Sequence, residues 1–201
     1  MTGTETSPTR SAFLELQDER QVVREGFEFL DEKRVILAQE MLRRLAAFTR
    51  DRERYQARHD EAVVAMARSL GRHGLDGLEA LPPLQLSAAE MVLREQPFLG
   101  VSLIDGEARL EQAAAEPSIN PSPESRRCRS AFLELSALAL DLAVQRACLE
   151  RLVDEYIRTE RRARALENVV LPEITESLSF INEQLEAIDQ EEAIRVRTAR
   201  N

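Results

Sequence analysis

Two long stretches of the sequence lack almost everything that ends a helix. From Arg10 to Leu70 there is no proline and one glycine, Gly26; from Glu124 to Asn201 there is one proline, Pro172, and no glycine. Five of the seven glycines fall within 71–106 and six of the eight prolines within 82–123, so two arms flank a broken middle. At 1.5 Å per residue such arms reach roughly 90 and 110 Å as helices, too long to fold back inside a compact globule. Each must bury its apolar stripe against another rod.

The stripes are visible. Leu16, Val23, Leu30 and Leu37 recur every seven residues, with Phe13, Phe27 and Met41 close to the second seam position, which is the pattern of a coiled coil. From Leu37 through Met41, Leu45 and Phe48 the spacing becomes four, four, three, predicting a locally relaxed supercoil. Leu135, Leu142, Leu149 and Tyr156 form a matching series in the last arm, joined by Leu138 and Leu152 and continued by Val170, Ile174, Leu178, Ile181, Leu185 and Ile188. Pro172 inside that pattern should remove a backbone hydrogen bond and bend the helix. Ser7-Pro8-Thr9 supplies a cap before the first helix, and Gly71 and Gly74 should end it. An antiparallel hairpin within the chain is the simplest pairing; a parallel homodimer is the alternative.

The middle is chemically different. Residues 71–123 carry a net charge of −5, against −1 for 1–70 and −3 for 124–201. Glu90 to Asp105 predicts two short strands around a turn near Gln96-Pro97, with Val101 and Leu103 alternating in the strand manner. The stretches from Leu75 to Pro83 and from Glu116 to Pro123 look like linkers. The expected fold is therefore all-α: a long antiparallel two-helix coiled coil made by an N-terminal arm (1–70) and a C-terminal arm (124–201), with a small irregular or β-hairpin head (71–123).

Several functions are excluded or disfavoured. Aromatics are only 4% of the chain and Trp is absent, a long-helix profile rather than that of an α/β enzyme. A formal net charge of −9 argues against nucleic acid as a partner. The start is polar, without a secretory signal, and the most apolar run, Ala131 to Leu149, is interrupted by Glu134, Asp141 and Arg146, so no membrane insertion is expected. Cys128 and Cys148 lie about 30 Å apart along one helix and cannot bridge within the chain, which suits a reduced, cytosolic setting. His59-Asp60-Glu61 places its side chains about 100° apart, so they do not converge on an ion, and no Walker loop exists in a chain whose only lysine is Lys33. No catalytic residue, cofactor or metal is expected.

One electrostatic feature is sharper. Arg43, Arg44, Arg50 and Arg54 cluster on the first arm and Arg158, Arg161 and Arg162 on the last, so an antiparallel hairpin would gather them into a basic collar. The stretch from Ala165 to Ile194 carries acids and no basic residue. Such banding suits complementary surfaces of partners; a solvated charged face is the simpler alternative.

The residues also carry a family resemblance. Pro8-Thr9-Arg10 with Leu14 and Leu16, then Glu25-Gly26-Phe27-Glu28-Phe29-Leu30-Asp31-Glu32-Lys33-Arg34, resembles the opening of the D subunit of V/A-type rotary ATPases. The stretch Arg161 to Pro172, with Leu166, Glu167, Val170 and Pro172, is similar to that family's R-R-x-N-A-L-E-x-V-x-I-P segment. Phe98-Leu99-Gly100-Val101 resembles its M-G-V segment, and the three matches stand in register over both arms. The resemblance implies a non-catalytic central-stalk rotor shaft that couples ATP hydrolysis or synthesis to ion translocation. The paired termini would insert into the catalytic ring of A and B subunits, the F subunit would ride on the shaft, and the head would seat on the C/d-like funnel above the membrane rotor ring. Such a chain is cytoplasmic and peripheral to the membrane. A non-rotary coiled-coil scaffold is the rival.

Overall fold

The computed structural model describes residues 8–79, 86–112 and 121–200. The linkers expected at 75–83 and 116–123 fall partly outside them. Among the described residues the fold is all-α apart from one hairpin: helix α1 (Arg10–Glu79), strands β1 (Leu86–Phe98) and β2 (Val101–Gln112), helix α2 (Pro123–Ala165), a π turn (Leu166–Val170) and helix α3 (Leu171–Ala199).

Local chemistry sets the boundaries. The Thr9 hydroxyl accepts the Ala12 N–H at 3.2 Å and its carbonyl accepts the Phe13 N–H, so Thr9 caps α1. Gly74, at φ +71° and ψ 177°, interrupts α1, a conformation that a side chain would oppose. Gly71, expected to share that role, stays helical. At the start of α2 the buried Ser122 hydroxyl accepts the Ser125 N–H at 3.0 Å, Pro123 needs no donor in the first turn, and Glu124 suits the helix dipole.

The proline of the last arm is accommodated rather than simply tolerated. Leu171 N–H bonds to the Leu166 carbonyl, five residues back, closing a wide π turn immediately before Pro172 in the first turn of α3. The wider turn leaves room for the pyrrolidine ring, which in an α-helix clashes with the carbonyl four residues earlier.

The chain forms two units, residues up to Ile36 with those from Tyr156 onward, and Leu37–Glu155. Within the first, the helices run antiparallel: Arg10 holds Asp189 with bonds of 3.1 and 3.2 Å, while Gly26 faces Leu166. Its buried residues include Ala12, Thr159, Ala163, Ile174, Leu178 and Ile181, with Phe13, Leu16, Val23, Phe27 and Leu30 half-buried along the same seam. Within the second, Asp51 accepts from Gln145 at 2.7 Å and His73 bonds Ser122 at 2.7 Å, which again is antiparallel pairing. Leu37, Ala62, Leu135, Cys148 and Leu152 are buried there.

The relaxed spacing expected after Leu37 is corrected. Leu45 is 49% exposed, and the seam continues on sevens through half-buried Arg44 and Asp51, with Met41, Phe48 and Tyr55 beside them. A charged side chain can occupy that slot because Glu40 neutralises it.

Gly26 tests how much of α1 is set by helix propensity. A methyl group there would meet Leu166 Cδ1 at 3.7 Å, an ordinary contact. Gly26→Ala is expected to raise stability by about 0.5–1 kcal/mol in urea unfolding, since alanine loses less backbone freedom in a helix.

Candidate partner-binding surfaces

The hairpin closes on a tight link. Leu99 (φ 48°) and Gly100 (φ 85°) form a two-residue connection bounded by the Phe98–Val101 pair, and both positive φ values suit a hairpin turn of that length. The turn therefore sits beyond Gln96-Pro97, and the strands, at 13 and 12 residues, are longer than the sequence suggested. Pro97 instead pairs with Ser102, one step from the closing pair, where an antiparallel ladder asks no N–H of it.

Register then decides how the hairpin docks. Val101 and Leu103 bury their side chains, while the backbone of the alternate residues faces outward from the pair. The Cys148 thiol of α2 accepts the Ile104 N–H at 3.2 Å and donates to the Ile104 carbonyl, and Arg151 donates to the Ser102 carbonyl at 2.7 Å. Two side chains of one helix thus satisfy part of a free strand edge. The Ser102 hydroxyl itself donates to Glu95 at 2.9 Å.

Near this junction the seam turns polar. Glu40 accepts two bonds from Arg43 (2.6 and 2.7 Å) and one from Arg44 (2.7 Å). The Arg43 hydrogen bond, aided by Arg44 and opposed by burial, holds the Glu40 carboxyl down at about 2. Arg44, Asp51, Arg54, Asp141 and Gln145, with Ile104 and Leu138, line a recess of about 280 Å³. The Gln145 amide oxygen is buried without a donor.

The arginines expected to form a collar divide between the two units. Arg43, Arg50 and Arg54, spaced by seven and four, share an exposed face of α1, while Arg44 turns toward the seam. Arg158, Arg161 and Arg162 are exposed on α2, with Thr159 and Ala163 buried between them. Among the described residues, Arg50, Arg54, Arg158, Arg161 and Arg162 have no carboxylate partner.

The motif residues have mixed roles. Pro8 and Thr9 lead into the first turn, Arg10 reaches Asp189, and Arg34 pairs with Asp31 on its own helix. Lys33, Leu166 and Val170 are half-buried, whereas Glu167 and Pro172 are exposed. Gly100 and Val101 belong to the hairpin link and its closing pair. His59 packs its ring near Tyr55 and contacts Asp60 at 3.2 Å. Among the described residues, no cluster of three or more His, Cys, Asp or Glu could hold a metal, and no helix is long and apolar enough to cross a membrane.

Comparison with known proteins gives one consistent result. The family model for the ATP synthase D subunit matches residues 12–201. The D subunit of the V-type ATP synthase of an Anaeromyxobacter species is 32% identical over 208 residues, covering 98% of this chain and 94% of that protein. The D subunit of the A-type ATP synthase of Methanoregula boonei is 28% identical over 194 residues, covering 94% and 93%. The D subunit of the V-type ATP synthase of Thermotoga neapolitana is 25% identical over 197 residues, covering 95% of each.

Two measurements probe this geometry. Glu40 ionises more readily in the fold than its ordinary value of 4.5. The stability it contributes is therefore complete above that value and is lost as pH falls through about 2. Glu40→Gln should cost about 1 kcal/mol at neutral pH and flatten the decline in urea midpoint across that acid range. Cys148→Ala leaves the Ile104 N–H and carbonyl without their partner, and hydrogen exchange at Ile104 should accelerate by about tenfold or more, the scale of one lost buried bond.

Proposed function

The chain belongs to the ATP synthase D subunit family, and we propose that it is the central-stalk rotor shaft of a V/A-type rotary ATPase. The observation that carries this is a family match running nearly end to end over a chain whose first and last helices lie antiparallel, Arg10 against Asp189. Two paired helices resist twisting better than one, which a torque-bearing element requires. A shaft that is not threefold symmetric makes different contacts with three otherwise equivalent catalytic interfaces, and such differential contact is all that coupling needs.

In this role the chain is non-catalytic. Its paired termini enter the ring of A and B subunits, the F subunit binds along the exposed helix faces, and the head segment 71–123 seats on the funnel-like protein above the membrane rotor. The assembly places it in the cytoplasm, peripheral to the membrane. The arginines at 50 and 54 and at 158, 161 and 162, without a carboxylate partner among the described residues, engage acidic surface at the mouth of the catalytic ring, since such guanidiniums favour bidentate carboxylate partners. Arg43 beside them is held by Glu40.

A tagged chain purified from its native host should bring A, B and F subunits with it. A chain that arrives alone and sediments as a dimer would instead be a scaffold. Charge reversal of Arg50 and Arg54 together should reduce coupled ATPase by about tenfold, the scale of lost interfacial charge pairs. Undiminished coupling would remove the arginine contact from the proposal and leave the shaft in place.

A further inference from the structure

Helix α1 carries a second stripe that its own partner helix does not use. Asp18, Val22, Glu25, Phe29, Glu32 and Ile36 alternate steps of four and three, so they share one face. That face lies on the far side of α1 from the seam of Leu16, Val23 and Leu30, and all six residues are exposed. Phe29 is 64% and Val22 67% exposed, which is unusual for large apolar groups repeating at seven-residue intervals. A heptad stripe serves packing against another helix.

Charge narrows the occupant. Asp18, Glu25 and Glu32 flank Val22 and Phe29 one helical turn away, and Glu32 precedes Ile36. Half-buried Lys33 at the edge of the face is the single basic residue within a turn of both Phe29 and Ile36, so the face is net acidic. A second copy of this chain would set acid against acid, and an anionic bilayer or nucleic acid would be repelled for the same reason. We infer that the face formed by Val22, Phe29 and Ile36 receives an amphipathic helix of a protein partner whose apolar residues repeat at seven-residue spacing and are flanked by lysine or arginine. The apolar side chains supply burial, and the carboxylates select the partner's sign and fix its register. This rests on the shaft proposal only for which assembly holds that helix.

The test uses the full chain within its native assembly. A photo-crosslinking phenylalanine analogue at position 29 should form an adduct with a helical segment carrying Lys or Arg within a turn of its apolar residues. A separate variant, Asp18→Lys with Glu25→Lys and Glu32→Lys, alters exposed side chains only and should fold. It is expected to reduce retention of the partner about tenfold at low salt, with the difference shrinking as salt is raised. The inference is overturned by an adduct on a segment without basic flanks, by an adduct with a second copy, or by no adduct while the chain still co-purifies with its partners. Unchanged retention in the triple variant would overturn it as well. If A and B subunits fail to accompany the wild type while the adduct forms on a basic amphipathic helix, the shaft proposal falls and this inference stands.

Discussion

Contact along a narrow seam is the constraint on which every other feature depends. In each unit two helices meet with only a stripe of each buried. Small buried residues (Ala12, Ala62, Ser69, Thr159, Ala163) alternate with the larger Leu37, Leu152 and Ile181 along the pairing. Each large buried side chain contributes about 1.5–3 kcal/mol, so a handful of positions carries the pairing. Of the polar ties, Arg10 to Asp189 adds little energy at its exposure, Asp51 to Gln145 is part-buried, and both disfavour a slipped register.

That constraint explains where irregularity is allowed. A proline inside a paired helix would displace the stripe unless the backbone absorbs it locally, and the π turn at Leu166–Val170 does so while Ile174, Leu178 and Ile181 remain buried. The polar layer around Arg44 obeys the same logic. A guanidinium in the seam is costly alone, but Glu40 and the neighbouring Arg43 make a hydrogen-bonded cluster that keeps the seven-residue register intact. The hairpin is held by the helix that presents Cys148 and Arg151, so its attachment depends on α2 staying in register too.

The arms were legible because heptads and the absence of Gly and Pro are local signals that tertiary context does not override over tens of residues. Thr9 and Gly74 were legible for the same reason, being cap and breaker chemistry. The Ser122-Pro123-Glu124 start of α2 carried an equally local signature, although Pro123 reads first as a linker residue. Leu45 misled because apolar spacing alone cannot see that a salt-bridged arginine will hold a seam slot. The hairpin turn moved from Gln96-Pro97 to Leu99-Gly100 because proline marks turns by propensity, whereas the register here is fixed by two positive φ values. Docking through Cys148 and Arg151 left no trace in the sequence, since it joins residues more than forty positions apart.

A protein whose interior is only a seam has most of its residues facing outward, so the choice of partners must be written on its outer faces. Those faces are sorted by sign. Arginines are densest at 43–58 of α1 and 158–164 of α2, and carboxylates alone follow from Ala165 to Ile194. Twenty-seven basic residues with a single lysine, Lys33, mean that the positive groups are almost all planar guanidiniums. These form directional, paired bonds to carboxylates where lysine offers a point charge. Such groups discriminate orientation as well as charge. The same narrow seam that leaves so little to be buried therefore frees long, ordered stretches of surface to specify where, and facing which way, each neighbour can sit.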